Sequence, residues 1–245
     1  RKGFSMDISD MVFRSDMTVE LVKHSASDAD IIWSARVSTA GERSLDSLDE
    51  NPEESAGLIN YLARARHGSP FEHAVMTFYV EAPIFVFREF MRHRIASYNE
   101  SSGRYRELQP TFYIPAPERN LVQQGKPGSY DFVEGSPEQY EAVIGETREA
   151  YVRAYEAYQG MLDVGVAREV ARIVLPVGIY SQMFVTMNAR ALMNFLSLRT
   201  KSEGSHFPSY PQREIEMVAE KMEKIWAELM PITHNAFNKS GRVAP

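Results

Sequence analysis

Between Arg92 and Arg104 the chain reads RHRIASYNESSGR: three arginines, a histidine, three serines, an asparagine and a glutamate in thirteen residues. Arginine supplies planar, forked, permanently charged donors that match phosphate oxygens. The serines and the asparagine add neutral donors, and Glu100 adds an acceptor. The stretch directly upstream, Ile84 to Met91, is apolar (IFVFREFM). An apolar helix that runs into so many guanidinium and hydroxyl groups makes a poor core. It suits the grip of phosphates and of a flat heteroaromatic ring. The plain alternative is a set of basic residues complementing a helix dipole at its carboxyl end.

Three further segments concentrate chemistry. His67 to His73 reads HGSPFEH. Its spacing fits neither HExxH nor a zinc-finger pair, so no metal site is expected. A turn capped by Ser69 and Glu72 is the structural alternative. Arg168 and Arg172 lie four residues apart in REVARIVLP, either as a surface pair near Glu169 or with one arginine in a pocket. In NARALMNFLSLR, Arg190 and Asn194 share a helix face and Asn188 is placed to cap the helix.

Composition narrows the chemistry. The chain has 245 residues, a net charge of −6 and no cysteine. Disulfides, thiolate metal sites and thiol nucleophiles are excluded. The acidic balance argues against a general nucleic-acid binder, and a local basic cluster on an acidic chain fits a small anion. No apolar run reaches the roughly 20 residues that span a bilayer, and the N-terminus lacks a signal-peptide core. A cytoplasmic location is the default expectation, with Met6 as a native start after a five-residue remnant. No GxGxxG follows a strand and no GxxxxGK[ST] occurs, so any bound nucleotide must be held without a Rossmann crevice or a P-loop.

Periodicity and breakers predict the elements that carry these segments. Strands are expected at Val19–Val22, Val75–Glu81 and Ile179–Met187. Helices are expected at Ser27–Val37, Pro52–Arg66, from Pro83 through Met91, and at Pro137–Leu162, Val166–Leu175, Ala189–Arg199 and Gln212–Met230. Gly41–Asn51, Gln109–Ser136 and Lys201–Pro211 read as loops, the second with a short extended piece near Thr111–Ile114. Strands and helices mix along 1–245 with no linker, which predicts a single α+β domain.

Arg92, His93, Arg94, Ser97, Asn99, Ser102 and Arg104 fit RHRxxSxNxxSxR at every fixed position. That pattern resembles the signature of the flavin-dependent thymidylate synthases, and the three other segments resemble that family's in the same order. The resemblance implies an antiparallel sheet flanked by helices, and a homotetramer with shared active sites. It implies conversion of dUMP to dTMP, with methylenetetrahydrofolate as one-carbon donor, FAD as hydride carrier and NADPH as reductant. By the same resemblance Ser38, Ser69, Arg92, His93, Arg94, Glu100, Asn188, Arg190 and Asn194 hold FAD, and His67 lies by the folate or nicotinamide. Glu89, Arg92, Glu100, Ser101, Ser102, Gly103, Arg104 and Arg168 bind dUMP, and Arg199 meets the uracil ring and activates it. Glu89 stands where some members carry glutamine. The loop at 201–212 is longer than a minimal version, which leaves His206 and Tyr210 without a role. Other readings are a different flavoprotein acting on a nucleotide, a nucleotide- or RNA-binding module, and a hydrolase using Ser102 with His93.

Overall fold

The computed structural model describes residues 10–245; the expected remnant Arg1 to Ser5 and the start at Met6 lie outside them. In chain order the elements are β1 (Val12–Arg14), β2 (Thr18–Ser25), α1 (Asp28–Ala40), α2 (Ala56–Arg64), β3 (Val75–Pro83) and α3 (Ile84–Phe90). Then come β4 (Ser97–Glu100), β5 (Thr111–Tyr113), β6 (Val122–Lys126), β7 (Ser129–Val133), α4 (Pro137–Asp163) and α5 (Arg168–Ala171). The chain ends with β8 (Tyr180–Asn188), α6 (Ala189–Arg199), α7 (Arg213–Leu229) and α8 (Pro231–Lys239). This is the expected α+β architecture, an antiparallel sheet with helices. Two compact units divide the described residues: one of 10–16, 82–87 and 100–182, the other of 17–81, 88–99 and 183–245.

The first unit is built on the long α4. Ser136 and Gln139 form a reciprocal capping box (2.9 and 3.2 Å), and Pro137 takes the first helical position, where its missing N–H costs nothing. Tyr151, Tyr155 and Tyr158 turn one face of α4 inward against Met11, Phe112, Ala171 and Ile179. The Phe112 and Tyr151 rings stack at 4.6 Å. The Tyr155 hydroxyl donates to Leu108 O (2.8 Å), and the Tyr158 hydroxyl accepts from Leu108 N (3.2 Å), so neither buried phenol lacks a partner. A Cβ at Gly178 would lie 2.0 Å from the Tyr151 hydroxyl oxygen, so only glycine lets that ring close on the backbone. β1 pairs with β5 in parallel.

The first unit corrects two expectations. The stretch expected as one helix at 166–175 is a single α turn followed by a 3-10 turn at Arg172–Val174. Leu175 is extended because Pro176 disfavours helical backbone in the residue before it. The loop expected at 109–136 contains the antiparallel hairpin β6–β7, whose Gly125 and Gly128 take positive φ (97° and 84°). Its strands are almost wholly exposed: β6 is mostly polar, and Tyr130 and Phe132 of β7 face solvent and not a core.

The second unit contains most of a four-stranded sheet in the order β2-β3-β8-β4. β2 and β3 pair antiparallel, with an irregularity between Leu21 and Lys23. Met76, Phe78 and Val80 of β3 are fully buried, as are Leu192, Phe195 and Leu196 of α6 and Val218, Met222 and Trp226 of α7. α6 packs on α7, α7 on β2, and α2 on α8. The Asp30 carboxylate accepts from the backbone N and the hydroxyl of Ser27, which starts α1 where expected. Asp28 is buried and binds the first turn of α8, accepting from Ile232 N (3.0 Å), Thr233 N (2.8 Å) and Thr233 Oγ1 (2.6 Å). A carboxylate there satisfies helix N–H groups that have no intrahelical partner.

The polar stretch expected as a loop at 41–51 is 3-10 helical from Gly41 to Asp49. Arg36 fastens it, donating to Ser47 (2.7 Å), Glu50 (2.5 Å) and Ser55 (2.7 Å). The helix expected at 52–66 is a 3-10 turn, Pro52–Ser55, leading into α2. Among the described residues no helix is long and apolar enough to cross a membrane.

Candidate active site

The RHR cluster leaves the end of α3. Phe90 is buried and stacked on Phe195 of α6 (4.5 Å), which fixes where the chain departs. Tyr98 closes the segment behind it, its hydroxyl donating to Phe90 O (3.0 Å) and His93 O (2.7 Å). Burial pushes that phenol up to about 12, so it stays a donor. Arg92 and Arg94 are exposed, and their guanidinium groups have no hydrogen-bond or ion-pair partner among the described residues. Two permanent charges side by side without an acid fit an anionic ligand better than a structural role.

His93 turns the other way. Its ring packs edge-on against Phe195 (4.8 Å), and its Nε2 accepts from Arg199 Nε at 3.0 Å. That bond requires the neutral imidazole with its proton on Nδ1. Burial, joined by the Arg199 charge, lowers its pKa to about 4. Arg199 also faces Glu89, at 3.4 Å from Oε2 and 3.4 Å from the backbone O. Both distances are long for a hydrogen bond. Burial raises the Glu89 carboxyl, and Arg199 offsets only part of that rise. Arg199 is therefore oriented by a neutral ring and makes a loose ion pair with Glu89.

This geometry has a pH consequence. Unfolded His93 titrates near 6.5 and native His93 near 4, so the neutral native ring contributes stability above about pH 6.5 that is lost as pH falls toward 4. Denaturant titrations of the wild type and His93→Gln across that interval are expected to show a shallower pH slope in the variant; equal slopes would contradict the assignment.

Around the amino end of α6 the structure gathers a second group. Asn188 caps the helix, accepting from Ala191 N at 2.9 Å. Arg190 donates to Glu72 (2.6 Å) and to Pro245 O (2.6 Å). Asn194 lies exposed one turn along the same face, and its carboxamide has no partner among the described residues. Ser69 begins a 3-10 turn capped by the Gly68 backbone, so it is not itself the cap. Glu72 belongs to Arg190 and does not serve as a cap. His67 packs edge-on to Tyr61 (5.6 Å). Ser38 donates to Ala35 O within α1 (3.0 Å) and hydrogen-bonds to none of the other candidates.

The first unit carries the rest. Glu100 accepts from Ser181 Oγ (2.8 Å), and Ser101 N donates to Gln182 O (2.8 Å). Ser102 Oγ accepts from Arg104 N (3.3 Å), and Arg104 pairs with Glu169 (2.8 Å). Gly103 is buried, and an added Cβ would press on Leu108 (3.0 Å) and Arg172 (3.2 Å). Arg168 lines a cavity of about 430 Å³ with Glu107, Gln159 and Asp163. The apolar residues around it, Val170, Ile173 and Val174, are exposed. Neither serine nor histidine is arranged for hydrolysis, since Ser102 has no base beside it among the described residues and the His93 Nε2 lone pair is engaged by Arg199.

Sequence reasoning left out Tyr98, the Glu72–Arg190 pair and the imidazole–guanidinium bond. Tyr98 falls inside the motif as a variable position. The two pairs join residues 118 and 106 positions apart, a separation that no local pattern reports.

Residues 20–232 match the family model described as thymidylate synthase complementing protein. A flavin-dependent thymidylate synthase of Streptomyces avermitilis is 66% identical over 234 residues, 95% of each chain. One from Streptomyces coelicolor is 67% identical over 233 residues, again 95% of each. The crystal structure of the UMP/dUMP methylase PolB from Streptomyces cacaoi bound with 5-Br dUMP superposes with a TM-score of 0.90 at 56% identity, over 96% of this chain and all of that one.

Proposed function

The chain belongs to the flavin-dependent thymidylate synthases, and on that premise we propose how its own residues divide the work of making dTMP from dUMP. Methylenetetrahydrofolate gives the one-carbon unit and NADPH the reducing equivalents. Bound FAD supplies hydride-transfer chemistry. No thiol takes part, because the chain has no cysteine.

The donor set fits such a cofactor. Arg92 and Arg94, unpaired among the described residues, are cations suited to a pyrophosphate, and Asn194 and Ser69 are exposed neutral groups suited to a polar ring edge. Arg190 keeps its Nη2 without a partner among the described residues, while Nε and Nη1 are held. We assign FAD to these residues with His93, Glu100 and Asn188, and with Ser38 at the margin. His67 is assigned to the folate or nicotinamide side. dUMP is assigned to Glu89, Arg92, Glu100, Ser101, Ser102, Gly103, Arg104 and Arg168, with Arg199 on the uracil ring. Ser102 is a binding hydroxyl and no nucleophile. The enzyme works as a homotetramer in the cytoplasm, with sites shared between subunits.

The observation that carries this reading is the pair of unpartnered guanidinium groups at Arg92 and Arg94. Arg92→Ala removes a charge-assisted contact without breaking any internal bond. Losing such a contact costs about 1.5–3 kcal/mol, so FAD affinity is expected to fall roughly 10- to 150-fold. Flavin fluorescence titration reads it, and unchanged affinity would remove Arg92 from the flavin site.

A further inference from the structure

We propose that Arg242 to Pro245 is a positioning segment for the reaction, holding α6 at both ends: the amino end through Arg190 and the carboxyl end through Thr200. The inference rests on the reading that Arg190 meets FAD and Arg199 meets uracil.

At the amino end, Arg190 Nε donates to Pro245 O (2.6 Å) while Nη1 holds Glu72 (2.6 Å). Two acceptors on one planar fork restrict the rotation of the guanidinium. Arg66 Nη2 donates to Ala244 O (3.3 Å), which anchors the segment itself, and Pro245 is buried. The fit is close: a Cβ at Gly68 would lie 2.5 Å from Arg190 Nε and 2.6 Å from Pro245 O. Glycine at 68 is therefore what allows the arginine and the segment to meet.

At the carboxyl end, Arg242 Nη2 donates to Thr200 Oγ1 (2.8 Å), the residue directly after Arg199. Thr200 Oγ1 in turn donates to Leu196 O (2.6 Å), one of the last carbonyls of α6. Arg242 is itself fixed by a fork onto Glu223 (2.6 and 2.8 Å) and by Asn238 (2.6 Å), over the Phe237 ring (4.9 Å). His234 shares the same carboxylate (2.9 Å). Burial pushes Glu223 up, but Arg242 and His234 outweigh it and leave the carboxyl at about 2, so the anchor stays ionised. The cost of this placement is visible: Arg242 has φ +56°, and its buried Nε has no partner among the described residues. Arg242 is held in the turn after α8 by Glu223 and Asn238. It delivers a fixed donor to the turn that ends in Arg199.

The two ends predict a split that a purely structural role would not give. Deleting Ala244 and Pro245 frees Arg190 only. FAD affinity is expected to fall about tenfold, with turnover at saturating FAD and dUMP kept within about twofold, the scale of one charge-assisted bond. Gly68→Ala should reproduce the deletion. Thr200→Val frees the Arg199 end only, and is expected to lower saturated turnover about tenfold with FAD affinity kept within about twofold. Melting temperatures, measured alongside, should not track either change. Both variants losing affinity and turnover in step with melting temperature would overturn the proposal. So would a deletion that leaves FAD affinity intact while Arg190→Ala weakens it. If Arg190→Ala is also silent, the assignment of Arg190 to FAD falls, and the proposal with it.

Discussion

Arg199→Lys is expected to lower turnover by roughly 10²–10³-fold, the range for loss of one transition-state donor. Without a thiol to attack the uracil ring, C5 must become nucleophilic by another route. A guanidinium on the O2/N3 edge stabilises the enolate-like anion as charge develops there. The structure makes the arginine fit for this: Nε is spent on a neutral His93, and both contacts to Glu89 are long at 3.4 Å. Lysine keeps the charge but has no fork, so it cannot hold the imidazole and the ring edge at once. Single-turnover rates at saturating dUMP read the effect, and a rate near wild type would take Arg199 out of this role.

Inactive Arg104→Ala and inactive Arg199→Ala proteins are expected to regain activity when unfolded and reassembled together. The reading behind this places Glu100 to Arg104 of one subunit and Arg199 of another around one dUMP. Random mixing then creates some sites with both arginines intact, while each variant alone has none. The Arg104 guanidinium pairs with the exposed Glu169 (2.8 Å) and lies over the exposed Tyr105 ring (5.6 Å), both surface contacts, so its loss should not unfold the chain. Recovery is measured as dTMP formed after co-refolding, against each variant refolded alone. Well-mixed oligomers with no recovery would show that each site is built within one chain.

Much of the frame was legible in the chain. α6 runs from Ala189 to Arg199 as expected, because Asn188 supplies the cap and Leu192, Phe195 and Leu196 repeat at helical spacing. β3 and β8 were legible from alternation, and α4 from its helical periodicity. β4 was not: SYNE lies inside the polar motif and has no apolar alternation to mark it. α8 was hidden by Pro231, which reads as a stop after α7 but occupies the first turn of the next helix. At the site, the residue types and spacing of the RHR segment pointed to anion binding. Which arginines stay unpaired was not readable, since that depends on acids distant in sequence. Arg190 finds Glu72 and Arg104 finds Glu169, while Arg92 and Arg94 find none among the described residues.

The most direct test of the account supplies the purified protein with FAD, NADPH, dUMP and methylenetetrahydrofolate and identifies both products. If the folate gives only its one-carbon unit and the reducing equivalents come through the flavin, dTMP forms together with tetrahydrofolate, and NADPH is consumed in step. Dihydrofolate as the co-product, or NADPH oxidation with no dTMP, would contradict it.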